Sequence, residues 1–173
     1  MDNNFISEEQ FDVRLPSLGA LLAVIAFGAL CLTMHVLQGW VPVLDSANLA
    51  LHEAGHPIIG LFSGRLMFYG GTLFQLAFPL AAAWHFRRSD HAAGFAATLV
   101  WLGENLLNVA RYMADARAQV LPLVGGDHDW AEIFGRWGVL HLDTGIAWLI
   151  RSLGIFLVVG SCFWLFRRLK LAK

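Results

Sequence analysis

The stretch LGALLAVIAFGALCLTMHVLQ, from Leu18 to Gln38, decides the fold class of this chain. Its 21 residues include no charged side chain, and a helix of that length crosses a hydrocarbon layer of about 30 Å. Two further runs, Leu66 to Trp84 and Ser152 to Phe166, are also uncharged. A surface helix of a soluble protein keeps a polar face, which these runs lack. Because a backbone in lipid must satisfy its own hydrogen bonds, the runs predict an all-α, polytopic membrane bundle.

The overall composition agrees with this fold class. Of the 173 residues, 57% are hydrophobic and 14% are charged, and the formal net charge is −1. A soluble domain is nearer one quarter charged, and a nucleic-acid-binding domain carries a basic surplus. The chain is therefore predicted to be one integral-membrane domain over residues 1–173, with the lipid bilayer as its surroundings and no nucleic-acid partner.

About five membrane spans are expected along the chain. The third contains Gly70, Gly71 and Pro79, so a re-entrant or broken element is the alternative there, and such an element needs protein or a cavity around it. The polar stretch from Arg111 to Asp143 mixes aromatic and charged residues, which favours an interfacial helix. The expected spans lie near 17–38, 44–62, 68–86, 92–112 and 144–166.

The residues with the clearest chemistry are His52-Glu53-Ala54-Gly55-His56, which fit the pattern HExxH. Side chains four apart share one face of a helix, so two imidazoles can reach one Zn²⁺ at about 2.0–2.1 Å. Glu53 lies beside this pair and can act as a general base toward a water molecule. Ionisable groups inside an apolar span are costly, which favours a functional site. The alternative is that these side chains only bond to neighbouring helices.

The segment HEAGHPIIG, His52 to Gly60, resembles the HExGHxxxG/A helix of the site-two-protease family of intramembrane zinc metalloproteases. The resemblance implies that His52 and His56 bind zinc and that Glu53 activates the attacking water. It also implies an aspartate as third ligand, in an LDG-like motif beside a proline of a later span. That motif does not occur unaltered here, and the nearest text is LPLVGGDHD, residues 121–129.

Because a catalytic zinc generally takes three protein ligands, a third is expected from elsewhere in the chain or from a partner. His128 is the preferred candidate, since it adds a nitrogen in a glycine-flanked loop, and Asp115 at the end of the fourth span is the alternative. Asp127 or Asp129 beside His128, and Glu104 within the fourth span, are the other candidates. Residues that do not bind the metal can still orient a ligand.

The sequence thus predicts a zinc metallopeptidase that cleaves peptide bonds of membrane-embedded or membrane-proximal substrates. Two alternatives remain: a membrane zinc-binding or scaffold protein without activity, and a zinc hydrolase of a non-peptide amide or a lipid headgroup. The order HExGH, a GGTLFQ-like segment, ADARA and HDW also resembles a group of short bacterial membrane proteins. That resemblance implies a multi-pass protein of the bacterial inner membrane and no particular substrate.

Overall fold

The computed structural model describes residues 16–124 and 126–171, and within them the chain is all-helical, without a strand. The all-α prediction is therefore confirmed. A short 3-10 turn, Leu140–Leu142, precedes the last helix. The helices are α1 Leu18–Leu37, α2 Leu44–Gly60, α3 Met67–Arg88, α4 Ala92–Ala114, α5 Asp129–Trp137 and α6 Asp143–Leu171.

Local sequence signals explain where several helices begin and end. The Ser17 hydroxyl accepts the backbone N–H of Ala20 at 3.1 Å, which caps α1. His91 caps α4 by accepting the N–H of Gly94 at 2.9 Å. Gly138, with φ of +70°, ends α5 in the left-handed conformation that glycine adopts without steric cost. These caps satisfy backbone groups that a helix end leaves unpaired.

The helix α4 lies at the centre of the bundle and packs most extensively against α6, and also against α3 and α1. One apolar cluster joins α1, α4 and α6, and includes Val24, Val100 and Val158. A second joins α5 to α4 and α6 through Ile133 and Phe134, which are fully buried. The short amphipathic helix α5 is thus anchored to the long helices by its apolar face.

Two segments, Leu18–Leu37 and Leu140–Leu171, are long and apolar enough to cross a membrane. Only 22% of each apolar window is buried, whereas a core helix of a soluble protein is mostly covered. This supports membrane association. The other predicted spans correspond to α2, α3 and α4, which carry more polar residues and do not pass the same test.

The third predicted span is one continuous helix. It begins at Met67, ahead of Gly70 and Gly71, and continues through Pro79 to Arg88. The two glycines are buried at a contact with α2, where a β-carbon on Gly70 would overlap the backbone of Gly55. The glycines therefore allow close helix packing, and the broken-element alternative does not describe this segment.

The contact between α4 and α6 generates a first prediction. A β-carbon at Gly154 would lie 2.7 Å from the Gly103 carbonyl oxygen, whereas one at Gly160 would meet nothing within 4 Å. Gly154→Ala should lower the free energy of unfolding by about 1–3 kcal/mol, as overpacking does. Gly160→Ala, on the same helix, should leave it unchanged or raise it by up to about 1 kcal/mol. Denaturant titration in detergent micelles measures both, and equal effects would contradict the close contact.

Candidate metal centre

The two histidines of α2 lie one helical turn apart on the same face. Their ring centroids are 4.9 Å apart. Donor atoms of His52, Glu53 and His56 lie within 4.8 Å of one another. His52 is buried, while Glu53 and His56 are partly exposed. The i, i+4 spacing therefore places two imidazoles and one carboxylate at a single position on the helix.

The side chain that reaches both histidines is Asp129, the first residue of α5. Its Oδ2 lies 2.9 Å from Nε2 of His52 and 3.3 Å from Nε2 of His56. The backbone N–H of Asp129 donates to the Tyr112 hydroxyl at 3.0 Å, which connects the start of α5 to α4. Burial opposes ionisation of this carboxyl, but hydrogen bonds from the two histidines outweigh it and hold its pKa below the ordinary value. Asp129 is therefore a carboxylate at neutral pH.

The second nitrogen of each imidazole is also bonded. Nδ1 of His56 lies 2.9 Å from the backbone oxygen of Met67, which can only accept, so this nitrogen carries the proton. Nδ1 of His52 lies 3.2 Å from Oε1 of Gln75, again an acceptor. Such partners on the outer nitrogen are typical of metal-binding histidines, because they fix the tautomer and the ring orientation.

The donor set fits a divalent cation. When both rings are neutral with protons on Nδ1, as binding of a cation at Nε2 requires, their Nε2 lone pairs face the Asp129 oxygen. Three acceptors this close repel one another unless positive charge lies among them, as protons on the rings or as one cation. A tetrahedral Zn²⁺ with bonds of about 2.0–2.1 Å separates its ligand atoms by about 3.3 Å. The distance of 3.3 Å equals that spacing, and that of 2.9 Å is shorter and has the length of a hydrogen bond.

Glycines of both α2 and α3 make room for the histidines. A β-carbon at Gly71 would overlap the imidazole of His52, and one at Gly55 would overlap the backbone of Gly70. The close approach of α2 and α3 lets Gln75 and the Met67 carbonyl reach the imidazoles. Small residues at such contacts are typical of helix packing in membranes.

The preferred third ligand of the sequence analysis, His128, lies apart from the histidine pair. Its Nδ1 accepts the N–H of Ala131 and so caps α5. Its Nε2 is 3.4 Å from Asp115, and its ring stacks on Tyr112 with centroids 4.2 Å apart. Burial lowers the pKa of His128 against the opposing effect of Asp115. These contacts are with Asp115, Ala131 and Tyr112 and not with the two histidines of α2.

The alternative, Asp115, is also engaged elsewhere. Its two carboxylate oxygens accept the N–H groups of Val120 and Leu121, each at 3.0 Å, so the side chain holds the turn after α4. Neither His128 nor Asp115 is brought to the pair of imidazoles. Asp129, which the sequence analysis kept as one of several candidates, takes that place. Asp127 is exposed and lines the adjoining cavity.

The last candidate, Glu104, belongs to a second buried cluster. Its Oε1 lies 3.2 Å from Nε2 of His35, and its Oε2 accepts the amide N–H of Asn48 at 2.8 Å. Asp45 joins this group, with donor atoms of His35, Asp45 and Glu104 within 4.8 Å of one another. Glu104 thus connects α4 to α1 and α2 away from the HExxH pair.

Sequence reasoning did not assign Gln75 and Tyr112 to the site. A buried amide in an otherwise apolar helix is the signal for Gln75, since polar groups at such positions need a partner. For Tyr112 no sequence signal exists, because its role depends on α5 folding back onto α4.

A cavity of about 490 Å³ opens beside the histidines. His52, Glu53, His56 and Asp129 all line it. Gln75, Asn108 and Asp127 add further polar groups, and Arg111 adds one cation. A cavity of this size holds a drug-sized molecule or a few residues of a peptide. Its other lining residues include Trp40, Leu49, Tyr112, Leu121, Pro122, Leu123 and Val124.

Comparison of the chain with protein-family models, curated proteins and solved structures finds no match. The resemblance to the site-two-protease family therefore remains limited to the nine residues His52 to Gly60. The chemistry of the site has to be argued from the geometry of its own side chains.

The bond between Tyr112 and α5 generates the second prediction. Tyr112→Phe leaves the N–H of Asp129 without its acceptor, at a cost of about 1–3 kcal/mol for a group shielded from water. Peptides that cover α5 should then exchange amide hydrogens about 5–150-fold faster, as measured by mass spectrometry in detergent micelles.

A matched control lies at the other end of α5. Tyr69 accepts from the indole N–H of Trp137 at 3.0 Å, at an exposed position. Water can replace that bond, so Tyr69→Phe should change the exchange rate far less. Unchanged exchange in Tyr112→Phe would show that this hydroxyl does not hold the start of α5.

Proposed function

We propose that this chain is a zinc-dependent intramembrane hydrolase that cleaves peptide bonds, with His52, His56 and Asp129 as metal ligands and Glu53 as general base. The observation that carries the proposal is the approach of one Asp129 oxygen to Nε2 of both histidines, at 2.9 and 3.3 Å. Two imidazoles and one carboxylate form the ligand set of many catalytic zinc sites.

A bound zinc ion supplies a Lewis acid that polarises a carbonyl group and lowers the pKa of a water molecule. The protein residues divide the remaining tasks. Gln75 and the Met67 carbonyl keep the Nε2 lone pairs of the histidines directed at the metal position. Tyr112 holds the backbone at Asp129, so that the carboxylate stays in register with both rings.

Glu53 is the residue placed to transfer protons. It follows His52 directly, lies within 4.8 Å of both histidines by its donor atom, and faces the cavity. It accepts a proton from the attacking water and returns it to the nitrogen of the leaving amine, so the proton balance closes. General acid–base catalysis of this kind contributes about 10²–10⁴-fold to a rate.

The cavity favours a catalytic over a purely structural metal. Structural zinc sites are enclosed by four protein ligands, whereas catalytic sites keep one position open. Here a space of about 490 Å³ adjoins the three donors and Glu53. Its apolar lining from Leu121 to Val124 suits the side chains of a membrane-embedded peptide.

We further propose a multi-pass arrangement in a bacterial inner membrane. Helices α3 and α4 have 22 and 23 residues, which corresponds to about 33–35 Å, enough to cross a hydrocarbon core. Large apolar side chains of α3, among them Leu73, Leu80 and Trp84, are exposed on the outside of the bundle. Together with α1 and α6 they give a surface suited to lipid.

The ligand set generates the third prediction. Asp129→Ala removes one of three zinc ligands and should reduce the zinc content of the purified protein from about one per chain to near zero. Asp127→Ala, two residues away and exposed, should keep the zinc of the unchanged protein. Mass spectrometry of bound metal provides the measurement, and circular dichroism verifies that both variants stay helical. If Asp129→Ala kept its zinc and Asp127→Ala lost it, Asp129 would not be the third ligand.

The proposed base generates the fourth prediction. Glu53→Gln keeps the size of the side chain but cannot accept a proton, so hydrolysis should slow by about 10²–10⁴-fold at unchanged zinc content. The assay uses a fluorescent transmembrane peptide reconstituted with the protein in liposomes. Glu132→Gln, on the exposed face of α5, serves as the control with full activity. Cleavage by Glu53→Gln at the normal rate would overturn the assignment.

A further inference from the structure

A chain of hydrogen bonds extends from His52 through Gln75 and Asn108, which also line the cavity, to the buried Asp45. Nδ1 of His52 bonds to Oε1 of Gln75 at 3.2 Å, and Nε2 of Gln75 donates to Oδ1 of Asn108 at 3.3 Å. Nδ2 of Asn108 donates to Oδ1 of Asp45 at 2.9 Å. The chain joins three helices and ends at a carboxylate that is 0% exposed.

The direction of every bond in this chain follows from its last member. The second oxygen of Asp45 accepts the backbone N–H of Val41 at 2.6 Å, and a carboxylate accepts hydrogen bonds at both oxygens. The amide of Asn108 must therefore present its NH₂ to Asp45 and its oxygen to Gln75. Gln75 in turn must present its oxygen to His52.

The orientation decides which nitrogen of His52 carries the proton. Facing an oxygen, Nδ1 keeps its hydrogen and Nε2 keeps its lone pair, which is the form that binds a metal at Nε2. Facing an NH₂ group, Nδ1 would need a lone pair, and the proton would move to Nε2. Gln75 and His52 are only 3% and 6% exposed, so water competes little for the bond between them, whereas Asn108 is half-buried and lines the cavity.

We propose that Asp45 is a positioning residue for the metal centre, which sets the tautomer of His52 through Asn108 and Gln75. The proposal rests on the function proposed above, since it assigns Nε2 of His52 to the metal. Asp45 itself does not line the cavity, and it reaches His52 through Asn108 and Gln75. It acts because a buried carboxylate at one end of a chain of amides allows only one orientation of all of them.

The substitution that tests this is Asp45→Asn, which keeps the shape of the side chain. The Val41 N–H still demands an oxygen, so the new NH₂ group faces Asn108, and both amides of the chain reverse. Zinc affinity, measured by competition with a chelator in detergent, should fall about 10–100-fold, as for other losses of an outer partner.

A second substitution distinguishes orientation from simple damage to the fold. Gln75→Glu places a carboxylate that accepts from His52 and from Asn108 at once. In the single variant this carboxylate faces the amide oxygen of Asn108, and two acceptors repel each other. The single variant should therefore also weaken zinc binding. Combined with Asp45→Asn, every donor finds an acceptor, so the double variant should bind zinc within about threefold of the unchanged protein, a clear departure from additivity.

Asp143→Asn provides the matched control. It also replaces a buried carboxylate, 1% exposed, by an amide, but Asp143 bonds to Arg117 and to the N–H of Thr144 and not to the chain that reaches His52. Zinc affinity should stay within about threefold of the unchanged value. An equal loss in this variant would mean that buried charge, and not amide orientation, controls the site.

The tautomer can be read without any metal. In metal-free protein carrying Asp129→Ala, Gln75 is the remaining hydrogen-bond partner of the His52 ring among the described residues, and ¹⁵N chemical shifts at pH 8 should show hydrogen on Nδ1. Adding Asp45→Asn should move it to Nε2, with His52→Gln identifying the signal among the seven histidines. Hydrogen on Nε2 in the presence of Asp45, or a double variant that binds no better than Asp45→Asn, overturns the proposal. If the shifts behave as expected but the unchanged protein binds no zinc, the proposed function fails and the positioning role stands.

Discussion

Every polar side chain that α2 buries needs a bonding partner inside the bundle, and this requirement governs how the other helices are placed. A buried donor or acceptor without a partner costs about 1–3 kcal/mol. Asp45, Asn48 and His52 are all buried on one side of α2. The partners come from three other helices, namely Gln75 of α3, Glu104 and Asn108 of α4, and Asp129 of α5.

The arrangement depends on how closely α2 and α3 approach. Gly55 and Gly70 leave no room for a β-carbon on either helix, so the two backbones are in contact there. Gly71, one residue further along, faces the imidazole of His52. Gln75 lies one turn beyond Gly71 on α3 and is thereby brought to Nδ1 of His52. Helix packing and ligand orientation are therefore consequences of the same glycines.

Much of the fold and half of the site follow from local sequence. The uncharged runs predict helices, and the spacing of His52 and His56 places both on one face. The third member of the site is 77 residues from His52, so no periodicity connects the two. His128 and Asp129 are adjacent but have different contacts. His128 caps α5 by accepting the Ala131 N–H, whereas Asp129, the first residue of the helix, contacts His52 and His56.

In the multi-pass arrangement proposed above, hydropathy underestimates a membrane helix that carries part of a buried site. In α2 and α4 the polar side chains face each other, as in the bonds of Asn48 with Glu104 and of Asp45 with Asn108. Each pair lowers the average hydropathy of both helices, although neither member is presented to the outside of the bundle. A window average counts these groups as if they met lipid, whereas the free energy of insertion depends on the groups that stay unbonded. For this reason, the average hydropathy of a sequence window distinguishes the helices of the site from soluble helices less clearly than it does the other long helices.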